Sequence, residues 1–424
     1  MSIEIITIGD ELLIGQVVDT NSAWMAEQLN NANMPVSWIT SIHDDGNQIR
    51  EAINVAFRRA DIVLLTGGLG PTKDDITKCV LCELFATQLV YSQAVEDNIR
   101  RLWYNRNRDV LNKLTASQAL VPANCEVIQN EVGTAPIMWW RRPDGKVLVS
   151  MPGVPFEMCH AMTNHIIPRL KEVFPNPEVL FHRVVIVEGV PESALALRLN
   201  DWESSLPDYM HLAYLPAQGL VRLRLDAYCE AEQVMAVNAQ LDSRMSDLYD
   251  LLGDDIIAFC DEPLEVTLGN LLRKSHQTIS SAESCTGGTI ASLLSKHAGS
   301  SDFYLGSVVS YANEVKHNVL GVLQTDLDTC GAVSEPVVRQ MAEGARRVIG
   351  SDWAIATSGI AGPAGGTADK PVGTIWVAVS GPSGMVSKCL HLGSLREQNI
   401  KRTAQAVLAM TIRIIRKENL QPQG

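Results

Sequence analysis

Ser281-Ala282-Glu283-Ser284-Cys285-Thr286-Gly287-Gly288 is the stretch best equipped for chemistry in this 424-residue chain. A short strand-like segment, Gln277 to Ser280, precedes it, and an apolar run with helical spacing, Thr289 to Leu294, follows. A strand, a tight turn and a helix start would set a serine or thiol nucleophile beside backbone N–H groups at the positive end of a helix dipole. Such N–H groups suit an anionic intermediate or a phosphate. An ordinary N-cap with a Gly-Gly turn is the bland reading of the same octamer. A thiol is intrinsically the better nucleophile, so residue types alone do not decide between Ser284 and Cys285.

Three further stretches carry chemistry. Tyr311-Ala312-Asn313-Glu314-Val315-Lys316 places a phenol and an amine near each other, and a lysine kept neutral by desolvation can act as a base. Thr357-Ser358-Gly359-Ile360-Ala361-Gly362-Pro363 follows the strand-like run Trp353 to Ala356. Near the amino terminus, Gly67-Gly68-Leu69-Gly70-Pro71-Thr72-Lys73-Asp74-Asp75 joins glycines, which allow close approach to a pyrophosphate, to an Asp pair able to hold a divalent cation. A Gly-rich turn with Asp74 or Asp75 capping the next helix is the alternative.

The elements that must position these residues alternate in type. Ile3 to Ile8, Val36 to Thr40 and Ile62 to Thr66 read as strands, with Asn21 to Leu29 and Gln48 to Arg59 as helices. That order predicts an α/β, doubly wound sheet over residues 1–170, with ligands beyond the carboxyl ends of its strands. Pro175-Asn176-Pro177 marks a linker. His182 to Val187 and Leu220 to Ala227 read as strands, and Pro191 to Leu199 and Glu232 to Leu251 as helices, giving a small α+β connecting domain over 171–260. Residues 261–424 then form a second α/β domain.

The octamer, the 311–316 stretch and the 357–374 stretch, in that order, resemble the carboxy-terminal domain of the CinA (competence/damage-inducible protein A) family. The resemblance implies a nicotinamide-nucleotide amidase, converting nicotinamide mononucleotide to nicotinate mononucleotide and ammonia without a cofactor. It implies Ser284 as nucleophile, Lys316 as base and Tyr311 as proton relay. It places Glu283, Thr286, Gly287, Gly288, Asn313, Ser358, Gly359 and Gly362 around the substrate, with Arg396 and Arg402 for its phosphate. The first 170 residues resemble the family's molybdopterin-binding-like domain, implying cleavage of ADP-ribose with Mg, Mn or Co. Gly67, Gly68, Gly70, Thr72 and Asn130 would then bind the nucleotide, and Asp10, Asp74, Asp75 and Glu157 the metal. Lys73, and Ile137 after Pro136, depart from the family pattern. The middle segment resembles the family's KH-like domain but lacks a GXXG loop, so it reads as a spacer without RNA binding. Two rival readings stand beside the two-activity enzyme. One keeps the amidase with an inactive or regulatory first domain. The other is a non-catalytic interaction protein of competence or DNA damage.

Composition narrows these choices. Forty-eight acidic against 35 basic side chains give a net charge of −13, which disfavours nucleic acid and anionic membranes as partners. The amino terminus has no basic segment before its apolar residues, and no apolar run approaches the ~20 residues of a membrane span. Nine cysteines without framework spacing, including Cys79 and Cys82 in an apolar run, fit reduced cytoplasmic thiols. A cytoplasmic homodimer acting on small nucleotides is the expectation.

Overall fold

The computed structural model describes residues 1–70, 75–105, 117–175, 178–217 and 219–420, and the chain divides into two units, Met1–Val179 and Leu180–Gly424. Thr72 and Asp74 lie outside the described residues.

The first unit is built on a six-stranded sheet in the order Val36–Ile42, Ile3–Ile8, Ile62–Thr66, Val147–Met151, Ile137–Arg141, Glu126–Ile128. The first four strands are parallel and the last two antiparallel, so the sheet is mixed rather than wholly parallel. Ile3–Ile8 is buried throughout because both faces are covered. Its period of two sends Ile6 and Ile8 toward Ile49, Ile53 and Phe57 of helix Gly46–Arg59. Ile3 and Ile5 pack on the other side with Met25 and Leu29 of helix Thr20–Asn31.

In the second unit, a four-stranded sheet runs Met210–Ala217, Leu220–Glu230, Glu178–Glu188, Ile256–Ala258. The strictly alternating Leu220 to Ala227 pattern forms a strand, continued to Glu230. A five-stranded sheet follows, in the order Tyr304–Val309, Ile279–Glu283, Trp353–Gly359, Thr374–Gly381, Gly384–His391. Its first three strands are parallel, and the last two form an antiparallel hairpin. Trp353 and Ile355 face a core that includes helices Leu264–Ser275 and Arg396–Leu420. Ala354 and Ala356 face helix Glu335–Ile349. Ile186, Ile257 and Ala258 of the connecting segment belong to that first core, so the connecting segment and the last domain share apolar packing.

The two large sheets use the same arrangement. In each, the earliest strand lies centrally, the next pairs on one side and the third on the other. The crevice at such a reversal is where open α/β sheets bind ligands. No helix among the described residues is long and apolar enough to cross a membrane.

Candidate functional site

The strand that carries the octamer ends later than its sequence suggests. It runs Ile279–Glu283, because Ser280 and Ser281 are buried with hydroxyl partners from distant segments, Ser351 at 2.7 Å and Ser307 at 2.9 Å. Ser284 is the first residue beyond the strand and the first since Ile279 that is partly open. Gly287 and Gly288 both take the left-handed backbone, with φ of 60° and 99°, and turn the chain into helix Thr289–Ser295.

Glu283 fixes that turn. Its fully buried carboxylate accepts the Thr286 hydroxyl at 2.7 Å and the N–H groups of Gly288, Ile290 and Ala291 at 3.0, 3.0 and 2.8 Å. It therefore caps the helix start in place of an N-cap side chain and does not reach toward a ligand. Thr286 is buried as well, with its hydroxyl 2.8 Å from that of Thr357. The N–H groups of Cys285 and Thr286 bond no backbone carbonyl among the described residues, which leaves two donors beside Ser284.

Adjacent strand ends deliver the other groups. Ser310 follows Tyr304–Val309, and its N–H bonds the Glu283 carbonyl at 2.8 Å; the Ser284 N–H bonds the Thr357 carbonyl at 3.0 Å. Lys316 sits in helix Asn313–Asn318 at 1% exposure. Its Nζ lies 3.2 Å from Ser284 Oγ and donates to the carbonyls of Ser310 at 2.7 Å and Tyr311 at 3.2 Å. Burial lowers its pKa from the ordinary lysine value. A neutral amine has two N–H groups and one lone pair. When neutral, Lys316 can give its two N–H groups to the carbonyls and its lone pair to the Ser284 hydroxyl. Lys316 is thus no solvated helix lysine.

Cys285 points the other way. It belongs to the apolar core at 6% exposure, and burial pushes its thiol up to about 12, so no thiolate is on offer at neutral pH. That separates the two adjacent nucleophiles that residue types left open. His317 turns its ring to the Val322 carbonyl at 2.8 Å.

Several expected contacts are arranged differently. Tyr311 meets Lys316 through its carbonyl; its phenol is 64% exposed and accepts from Arg396 at 3.4 Å. No hydrogen bond among the described residues joins that phenol to Ser284 or Lys316, so a proton relay through it is not formed. Ser358 and Gly359 are the last residues of their strand rather than a loop after it. Ser358 donates to the Ala332 carbonyl at 2.6 Å, and a side chain at Gly359 would collide with Ile375. Gly362 has φ of 91°, and its carbonyl accepts Arg396 at 3.0 Å. Asn313 is exposed at the start of its short helix. Arg396 therefore joins Tyr311 and Gly362, whereas Arg402 lines a separate cavity of about 210 Å³ with Glu188, Lys388 and His391. Six residues apart on one helix is a net separation of about 120°, so the two arginines leave the helix on different sides. Residue types did not single out Ser310. Its carbonyl anchors Lys316, and its buried hydroxyl has no partner among the described residues.

In the first unit a cavity of about 550 Å³ brings together Asp10, Gly67, Gly68, Gly70, Asp75 and Glu157, and adds Asp44, Gln118 and Thr134. Gly67 and Gly68 have φ of 111° and 63°. A Cβ on Gly67 would lie 2.2 Å from the Ile8 carbonyl, and one on Gly68 2.1 Å from Thr77 Oγ1. The loop must therefore be glycine to hug the strand ends. Asp75 accepts the Gly70 N–H at 2.6 Å, and the N-cap position of helix Thr77–Leu84 is Ile76. His43, at 2.8 Å, and the Asp44 N–H hold the Asp10 carboxyl below its usual range. Asn130 is buried, accepts the Gly133 N–H at 3.0 Å and donates to Glu157 at 2.7 Å, so it orients a wall rather than lining the cavity. The carboxylates of Asp10, Asp75 and Glu157 do not converge on one point; the only group of potential ligands within 4.8 Å among the described residues is Glu131, His160 and His165.

Two mixed α/β sheets, each with a polar site at the reversal of its strand order, define a two-site α/β protein. A model of the CinA C-terminal domain matches residues 261–415, and one of a probable molybdopterin binding domain matches 4–172. The CinA-like protein of Cytophaga hutchinsonii is 43% identical over 414 residues, 98% of each chain. That of Flavobacterium psychrophilum is 41% identical over 418 residues, 98% of this chain and 99% of its own. A solved structure, of competence/damage inducible protein CihA from Agrobacterium tumefaciens, is 36% identical, covers 36% of this chain and 95% of its own, and has a TM-score of 0.34. This chain belongs to the family of CinA-like proteins, with a molybdopterin-binding-like first domain.

Proposed function

We propose that the second unit hydrolyses the carboxamide of nicotinamide mononucleotide, giving nicotinate mononucleotide and ammonia. The observation that carries this is a buried lysine whose Nζ donates to two carbonyls and lies 3.2 Å from Ser284 Oγ. Ser284 Oγ attacks the amide carbon while Lys316 takes its proton. The N–H groups of Cys285 and Thr286 receive the charge that develops on the amide oxygen. Lys316 passes the proton to the departing nitrogen, the C–N bond breaks, and ammonia leaves an ester on Ser284. Water attacks that ester with its proton taken by Lys316, and the proton returns to Ser284. Tyr311 and Arg396, joined by a hydrogen bond, hold the nucleotide portion. The test is ammonia release from nicotinamide mononucleotide by the full chain with chelator present. Turnover supports the reading, and none under conditions where the chain is folded contradicts it.

For the first unit, the glycine loop and the carboxylates of one cavity suit a pyrophosphate such as ADP-ribose. Its all-oxygen donor set fits a hard divalent cation, and its spread fits an ion completed by water and phosphate rather than a preformed cage. Asp10, Asp75 and Glu157 would hold that ion, which supplies charge neutralisation when bound.

A further inference from the structure

The helical segment that carries Glu157 also carries two histidines that this cavity does not use. His160 and His165 are five residues apart, which on a regular α-helix places them about 140° from one another. Here the chain from Met162 to Ile166 takes a π turn between helices Pro155–Ala161 and Ile167–Val173. The wider turn brings both rings to one side, with centroids 6.0 Å apart at 56°. Glu131, from the loop opposite, places Oε2 3.7 Å from His160 Nε2. Ligand atoms of all three residues lie within 4.8 Å of one another. His165 Nε2 is buried and has no hydrogen-bond partner among the described residues.

A Glu131–His160 ion pair would explain two of these side chains. It leaves His165 Nε2 orphaned, a costly state for a buried polar atom, and gives no reason for a rare helix form that is frequent at functional sites. A metal ion explains all three. We infer that Glu131, His160 and His165 bind one borderline divalent transition-metal ion, of the zinc or cobalt(II) class, with an open fourth position for water. Two imidazoles and a carboxylate are donors of that class, and tetrahedral ligands stand about 3.4 Å apart, which rotation of the exposed Glu131 side chain can reach. The ion would tie the loop to the helix. Asn130, next to Glu131, bonds Glu157, and a Cβ at Gly133 would strike the Glu157 carboxylate, so the same loop forms part of the cavity wall. Metal here would therefore steady the nucleotide cavity from outside it.

The full chain, stripped with chelator, is titrated with cobalt(II) alone. One equivalent bound at micromolar concentration, with the visible absorption of a low-coordinate nitrogen-ligated ion that Zn²⁺ displaces and Mg²⁺ does not, is the expected result. His160→Ala and His165→Ala should each abolish the band, and Glu131→Gln should weaken binding about tenfold or more. His165→Gln serves if the alanine variant misfolds, and unchanged amide hydrolysis certifies the second unit. A band that survives the His165 variants, or binding only at millimolar cobalt, overturns the proposal.

Discussion

The two polar sites share a scaffold and differ in how complete they are. Both lie where a central parallel strand hands its chain to the next crossover, with a left-handed Gly-Gly turn following: Gly67-Gly68 in one, Gly287-Gly288 in the other. At Gly287-Gly288, every charged group has its partners within the chain. Glu283 is saturated by N–H donors, and Lys316 is held by two carbonyls and directed at one hydroxyl. At Gly67-Gly68, the described carboxylates line a cavity from separate loops, and no three of them gather at one point. A proton-transfer pair works in low dielectric and is best built dry and fixed. A cation and a pyrophosphate bring their own charge, so a site for them is finished by its ligand. The same turn thus supports preorganised covalent chemistry in one unit and ligand-completed chemistry in the other.

Substitutions that break the first site should have the largest effects. Ser284→Ala is expected to lower ammonia release on the order of 10⁴-fold or more, with the mononucleotide still bound by calorimetry. Lys316→Met should cost roughly 10²- to 10⁴-fold. The wild type should show kcat/KM rising with pH through the lowered pKa of Lys316, since only the neutral amine accepts a proton; the methionine variant should lose that limb. The stability sign follows from the same shift. Between the lowered folded value and the ordinary 10.5, the unfolded chain holds the extra proton, so unfolding free energy rises with pH in that window. Denaturant melts of wild type and Lys316→Met across that window should diverge in slope, and parallel curves would contradict an ionisable buried lysine.

The second site is tested by a smaller change. Asp75→Asn keeps an oxygen for the Gly70 N–H and removes a charge. It should reduce metal-dependent ADP-ribose cleavage roughly ten- to hundredfold and leave ammonia release intact. Loss of both activities would mean that the difference between the two sites has been misdrawn.

Tyr311→Phe sharpens the comparison further. Because the carbonyl rather than the phenol holds Lys316, kcat should fall less than about tenfold, with KM taking the larger share through Arg396. A relay through the phenol would demand about 10²-fold or more in kcat. The least effect is expected from Cys285→Ala, with turnover close to wild type and stability lower by on the order of 1 kcal/mol, read by thermal melts. A dead Cys285→Ala would move the nucleophile.

What could be read from the sequence follows the range of the interactions. The strand, Gly-Gly turn and helix around Ser284 depend on neighbours in the chain, and so do the alternating faces of Ile3 to Ile8. Strand ends were less legible. Ser281 looks like a turn residue until Ser307 is brought beside it. Ser358 likewise reads as loop and is strand, because Ala332 takes its hydroxyl. Glu283 has the composition of a ligand-binding acid, and its four turn and helix-start donors appear only once Gly287 and Gly288 have bent the chain back. Arg402 needed one observation that spacing does offer, its rotation from Arg396. The π turn that pairs His160 with His165 breaks helical periodicity, so no period-based reading finds it.

The direct test of a Ser284 nucleophile with a neutral Lys316 base is to quench the full chain during turnover of nicotinamide mononucleotide and weigh its peptides. The peptide containing Ser284 is expected to carry the substrate's mass less ammonia, hydroxylamine should remove it, and the adduct should be absent from Ser284→Ala and present in Cys285→Ala. An adduct on Cys285, or turnover undiminished in Ser284→Ala, would contradict a Ser284 nucleophile.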